Sequence, residues 1–140
     1  MVAAPSVPPD PDDTRDVRLG LHTEARSRAA IGAAAETHAA ELVQRAGFIV
    51  LARNYRCRGG ELDIVARRAD LLIIAEVRLR RSDRFGGAAA SIGPGKRLRI
   101  RTATRYLLLR RPQLARLQLR FDVLLATSAA GPFEWIEGAF

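Results

Sequence analysis

The sequence predicts an α/β domain, a mixed sheet flanked by helices in the order α, three strands, α, strand. Three observations carry that expectation. Short runs rich in Val, Ile and Leu lie between two stretches of helical composition, and turn residues punctuate them. The second helical stretch is bracketed by Pro94 and Pro112. Apolar residues make up 48% of the 140 residues and aromatics only 6%, which suits one domain with an aliphatic core.

Each element follows from local composition. Residues 1–17 read as a disordered tail, because Pro5, Pro8, Pro9 and Pro11 alternate with Asp and little is available to bury. Residues 18–30 fit either a linker or an extension of the first helix. The folded domain is expected over 31–140. Residues 31–46 have helical composition and Gly47 stops them. Residues 48–52 form a short strand. Residues 61–66 and 71–79 are two more, joined by the four-residue loop 67–70, with Gly59 and Gly60 making the turn into the first of them. Phe85, Gly86 and Gly87 form a flexible connection that could lie near a bound backbone. Pro94 suits the start of a helix running to about Arg110, and Pro112 closes it from outside. Residues 121–126 are a fourth strand, with 134–136 as a short fifth.

Charge narrows the class of partner. The chain carries +8 at neutral pH. Residues 1–30 hold five acids and four arginines, so the remaining 110 hold 19 basic and 10 acidic side chains. A domain this basic suits a polyanion, and nucleic acid is the commonest. Arginine-rich coding alone is the competing explanation. Cys57 is the only cysteine, so no intrachain disulfide forms. No secretory leader and no membrane-length apolar stretch is visible, so the expected location is the cytoplasm and no membrane is expected as a partner.

Two strands are interrupted by acids where a plain core would continue. Side chains alternate along a strand, so Glu61, Asp63 and Val65 share one face, as do Leu72, Ile74, Glu76, Arg78 and Arg80. A regular hairpin closed by 67–70 puts Asp63 opposite Ile74 and Glu61 opposite Glu76. Asp63 and Glu76 are then diagonal neighbours, roughly 7–8 Å apart at the backbone. On the first helix Glu36 falls in the stripe of Ala39, Ala40 and Val43, while Glu41 falls on the solvent side. An inward glutamate is unfavourable unless paired or bound to metal. Converging carboxylates make a hard oxygen-ligand site, and no Cys/His cluster invites zinc, so Mg²⁺ or Mn²⁺ fits best. His22 is expected in the tail and His38 on the surface. Simple pairing of Asp63 and Glu76 with some of the 22 arginines is the competing explanation.

The segments GGELDIVA, IIAEVRLRR, FGGAAASIGPGKRLRI and RFDVLLA, preceded by Glu36 in a helix, together resemble the YraN-type family of bacterial proteins. That family is similar to the restriction-endonuclease-like, PD-(D/E)xK nuclease fold and to Holliday-junction resolvases. The resemblance covers about residues 31–140. It implies that Asp63 and Glu76 are the two central metal-binding acids, that Glu36 completes the metal site, and that Glu61 has a supporting role. It also implies a lysine where this chain carries Arg78. Arginine cannot serve as a general base, although its fork of donors suits a phosphate. Lys96, the only lysine, aligns with the inward row Ile100, Ala103 and Leu107 and could replace the missing one. An ordinary surface lysine at a helix start is the alternative.

Arg97, Arg101 and Arg105 recur at i, i+4 and i+8, and Arg80, Arg81 and Arg84 follow the Glu76 strand. Together they suit a row of phosphates. Few aromatics accompany them, which favours duplex or branched DNA over base stacking. Asp122 reads as structural, paired with an arginine. The expected function is metal-dependent hydrolysis of phosphodiester bonds in DNA, with branched or structured DNA as a candidate substrate. A nucleic-acid-binding module impaired by Arg78 is the alternative, and an interaction domain is a third. A homodimer is left open.

Overall fold

The computed structural model describes residues 14–80 and 92–140, with side chains from residue 23 onward. Arg81, Arg84 and the Phe85–Gly86–Gly87 connection lie outside the described residues. Two compact units are distinguished, Met1–Ile31 and Gly32–Phe140. Among the described residues no helix is long and apolar enough to cross a membrane.

Helix α1 spans Thr14–Arg45. It therefore takes in residues 18–30 and the last residues of the expected tail. Within the second unit it buries Ala35, Ala39, Ala40 and Val43. It ends in a glycine cap: Gly47 takes φ 91°, its N–H donates to Gln44 O at 3.0 Å, and the Phe48 N–H donates to Val43 O at 3.3 Å. These two bonds satisfy the terminal carbonyls of the helix.

Strands β1 (Ile49–Cys57), β2 (Gly60–Arg68) and β3 (Leu71–Leu79) follow. Helix α2 (Pro94–Arg110) and a short 3-10 turn (Pro112–Arg116) lead to β4 (Gln118–Ala126) and β5 (Glu134–Ile136). The five strands lie in the order β1-β2-β3-β4-β5. All pairs are antiparallel except β3–β4, which is parallel. Parallel neighbours need a crossover, and α2 lies on that connection. The architecture is the α/β core with a mixed central sheet and flanking helices that the sequence predicts.

The sheet separates two apolar clusters. Ala39, Ala40 and Val43 of α1 pack with Ile64, Ala66, Ile73 and Ala75. Ile100, Ala103 and Leu107 of α2 pack with Val65, Leu72, Ile74 and Val123.

Two expectations are corrected. The first strand is longer than 48–52, because the chain runs through a register shift between Val50 and Ala52 and continues to Cys57. The β2–β3 connection is not the four-residue loop 67–70. Pairing continues to Arg68 opposite Leu71, leaving only Ala69 and Asp70 in the turn, with Ala69 at φ 52°. Two-residue connections with positive φ match the twist of paired strands. Val65, not Asp63, therefore stands opposite Ile74. The shift is two residues, so the alternation of faces holds over the paired stretch 64–68. It breaks just beyond, where Leu62 joins Val65 in the α2-side cluster while Ile64 and Ala66 lie in the other.

Candidate functional site

The site grows from a fork in the sheet. The β2–β3 ladder stops at Ile64 opposite Ala75. Beyond it, Glu61 and Leu62 stay paired with Arg56 and Tyr55 of β1, while Glu76 to Leu79 stay paired with Val123 to Ala126 of β4. Asp63 and Glu76 are the first residues past the split. The Val77 N–H donates to Asp63 Oδ2 at 3.0 Å, so a side chain stands where a ladder bond would otherwise continue.

Asp63 and Glu76 converge. Glu76 is only 2% exposed. Burial, and next the Asp63 charge, push its carboxyl up to about 7, against the opposing pull of Lys96. Burial also raises Asp63, while the Val77 N–H and the Lys96 charge oppose that rise. Lys96, in the first turn of α2, puts Nζ 2.7 Å from Glu76 Oε1. Glu76 Oε2 is buried with no hydrogen-bond partner among the described residues.

Glu36 approaches from α1. Its carboxyl is raised first by burial and then by the Asp63 charge, and the Asn54 amide lowers it. Asn54 is a residue that sequence reasoning missed. It lies between the pairs Arg53–Ile64 and Tyr55–Leu62, and so opposite Asp63. It takes φ 49°, a conformation that Asn tolerates better than most residues. An Asn in mid-strand was the only available signal. Glu61 is paired with Arg56 at 3.6 Å. It also faces a cleft of about 130 Å³ lined by Gly60, Lys96, Arg99 and Ile100. Arg99 is a second residue missed, because nothing in the helical pattern set it apart from its neighbours.

The arginines are more scattered. Arg78 stands two residues past Glu76, opposite Leu125 in the β3–β4 register. Arg80 lines a different cleft with Thr127, Pro132 and Glu134. Arg101 and Arg105 are exposed on α2 and Arg97 is half-buried there. Asp122 is structural: fully buried, it receives two hydrogen bonds from Arg120 at 2.8 and 2.9 Å.

The fit of a divalent cation rests on the pair. Among the described residues no three His, Cys, Asp or Glu side chains stand close enough together to hold one ion. Asp63 and Glu76 nevertheless offer two mutually repelling carboxyls and an unpartnered buried oxygen. Mg²⁺ is commonly held by one or two carboxylates, with water and substrate phosphate completing its shell. The donors present fit that chemistry.

The chain matches the Uncharacterised protein family UPF0102 over residues 35–126. It is 44% identical over 109 residues to a UPF0102 protein of Saccharophagus degradans, covering 78% of this chain and 91% of that one. With a UPF0102 protein of Nitrosomonas europaea it shares 45% identity over 111 residues, covering 78% and 92% respectively. With one from Hahella chejuensis the figures are 41% over 111 residues, 79% and 89%. Asp63, Glu76, Lys96 and Asp122 all fall inside the matched stretch, and the chain belongs to the UPF0102 family.

Proposed function

We propose that the protein is a metal-dependent endonuclease that hydrolyses phosphodiester bonds in DNA, with branched or structured DNA as a candidate substrate. One observation carries this reading. Two acids from adjacent strands meet at the sheet fork, Glu76 buried and Asp63 half-buried, with a lysine against one of them. Such an arrangement is unfavourable for folding alone, and groups shifted this way concentrate at functional sites.

Asp63 and Glu76 would hold Mg²⁺ or Mn²⁺, with Glu36 near enough to influence Asp63. A divalent cation so held neutralises charge on the phosphate and makes water a better nucleophile. The chain's own residues do the rest. The Val77 N–H fixes the Asp63 carboxylate by its 3.0 Å bond. Lys96 Nζ balances Glu76 and has further donors for a phosphate oxygen or the attacking water. Arg78 supplies a fork of donors for phosphate, because a guanidinium does not act as a base. Arg80, Arg97, Arg101 and Arg105, together with Arg81 and Arg84, would hold the flanking backbone electrostatically.

The test is incubation with branched, nicked and single-stranded DNA plus Mg²⁺ or Mn²⁺, alongside D63N and E76Q. Cutting that requires both acids is expected. Equal cutting by the variants, or none by the wild type, defeats the proposal.

Arg78 at the place of the nuclease motif's lysine motivates a second reading, a nucleic-acid-binding module with little turnover. Here R78K discriminates. A large gain in metal-dependent cutting would mark the native protein as impaired, and no gain would assign the lysine's work to Lys96.

A further inference from the structure

Aromatic and cationic side chains gather at one place on α2. The rings of Phe121 and Phe140 stack with centroids 5.1 Å apart and planes 19° apart. The Arg101 guanidinium carbon lies 5.8 Å from the Phe121 centroid and 5.6 Å from that of Phe140. The Arg97 guanidinium carbon lies 5.5 Å from Phe140, and Arg97 Nε donates to Ile92 O at 2.9 Å. A ring face attracts a cation within about 6 Å. One aromatic pair thus collects two guanidiniums from successive turns of α2.

Asp122 sets the position of that pair. Besides its two bonds from Arg120, it accepts from Trp135 Nε1 at 2.9 Å and from the Gly138 N–H at 3.0 Å. The Ala139 N–H donates to Phe121 O at 2.8 Å. These bonds fasten the segment after β5 along β4, and they deliver Phe140 onto Phe121. A buried carboxylate with every contact satisfied is a rigid anchor. Trp135 and Phe140 lie beyond the family match, which ends at residue 126.

We propose that Phe121 and Phe140 are positioning residues that order Arg97 and Arg101 into a two-pronged clamp for the phosphates of a nucleic-acid backbone. Arg97 directly follows Lys96, so the clamp begins one residue from the contact to Glu76. The clamp rests on the reading that nucleic acid runs past the acid pair. The ligand chemistry follows from the guanidinium: its planar donor fork matches paired phosphate oxygens, and an ordered side chain loses less freedom on binding. No base edge need be read, so the clamp is indifferent to sequence.

The experiment is binding of a labelled DNA duplex by the full chain in EDTA at low salt. Removing the ring with F140A should weaken binding about five- to thirtyfold, the range expected when two exposed cation–π contacts are lost. F140W should bind as wild type does. In an R97A/R101A background F140A should have no further effect, because coupled residues are non-additive. Thermal melts establish that each variant is folded at the assay temperature. If F140A is not, F140L takes its place, since it keeps apolar bulk but no ring. Wild-type affinity in F140A or F140L overturns the clamp, as does an equal weakening in the R97A/R101A background. Asp63-dependent cutting is scored separately with metal present. Its loss or survival decides the active-site reading and leaves the clamp to the binding data.

Discussion

Lys96 Nζ stands 2.7 Å from Glu76 Oε1, joining the first turn of α2 to the middle of β3. The two ends of this contact differ in exposure: the Glu76 side chain is 3% exposed and that of Lys96 37%. The cation therefore reaches inward from the solvent side to a carboxylate that water does not reach. Attraction in so dry a place is strong, but the dehydration of Glu76 opposes it. Burial prevails over the lysine, and the carboxyl rises to about 7.

This shift predicts a stability that depends on pH. Glu76 has an ordinary value of 4.5 and a folded value near 7. The folded protein holds the proton more tightly, so the associated stability is full below about 4.5 and is lost as pH rises through about 7. Asp63 shifts in the same direction. In EDTA the melting temperature should fall between pH 5 and pH 8. E76Q should flatten that fall, and scanning calorimetry across the range checks both. A melting temperature that climbs over this interval would contradict the burial of the pair.

Divalent metal should reverse the trend. An ion bound by Asp63 and Glu76 requires both deprotonated, so protons compete with it. Mn²⁺ or Mg²⁺ should raise the melting temperature at pH 8 and much less at pH 5. Saturating to 100 times Kd corresponds to about 2.7 kcal/mol. D63N or E76Q should abolish the rise, and melts with and without metal give the answer independently of any activity.

Loss of Lys96 should act most at high pH. In K96Q the buried carboxylate loses its cation and escapes by protonating. The stability loss is expected to be about 1–2 kcal/mol, less than for a fully buried pair because Lys96 is partly in water. It should be concentrated above pH 7. Cutting of DNA should fall about a hundredfold, the lower end for removing one charge-stabilising donor. Denaturant melts at pH 5 and pH 8, with single-turnover cutting, measure the two effects.

The approach of α2 to the β1–β2 turn depends on Gly59. A Cβ there would lie 2.8 Å from a Tyr106 ring carbon and 2.9 Å from the Thr102 methyl. G59A should destabilise by about 1–3 kcal/mol, as overpacked sites do. G32A is the matched control: a Cβ at this position meets nothing within 4 Å. Ala in place of a helical Gly should instead stabilise by up to about 1 kcal/mol. Urea titrations of both variants compare the signs.

The sequence by itself determined which faces the acids occupy. The two-residue period of strands puts Asp63 and Glu76 on one side. The two carboxyls do interact although the turn holds two residues rather than four, because a register difference of two preserves the alternation over the paired stretch. The inward row of α2 was legible for the same reason, since Ile100, Ala103 and Leu107 recur at helical spacing and are buried. Tertiary structure alone decided where the β2–β3 ladder opens, that the Val77 N–H meets Asp63, that Lys96 reaches Glu76, and that Phe140 stacks on Phe121. Periodicity reports the direction of a side chain from its own backbone. Contacts between segments far apart in the chain depend on strand ends, crossover lengths and packing distances, and no local repeat encodes these.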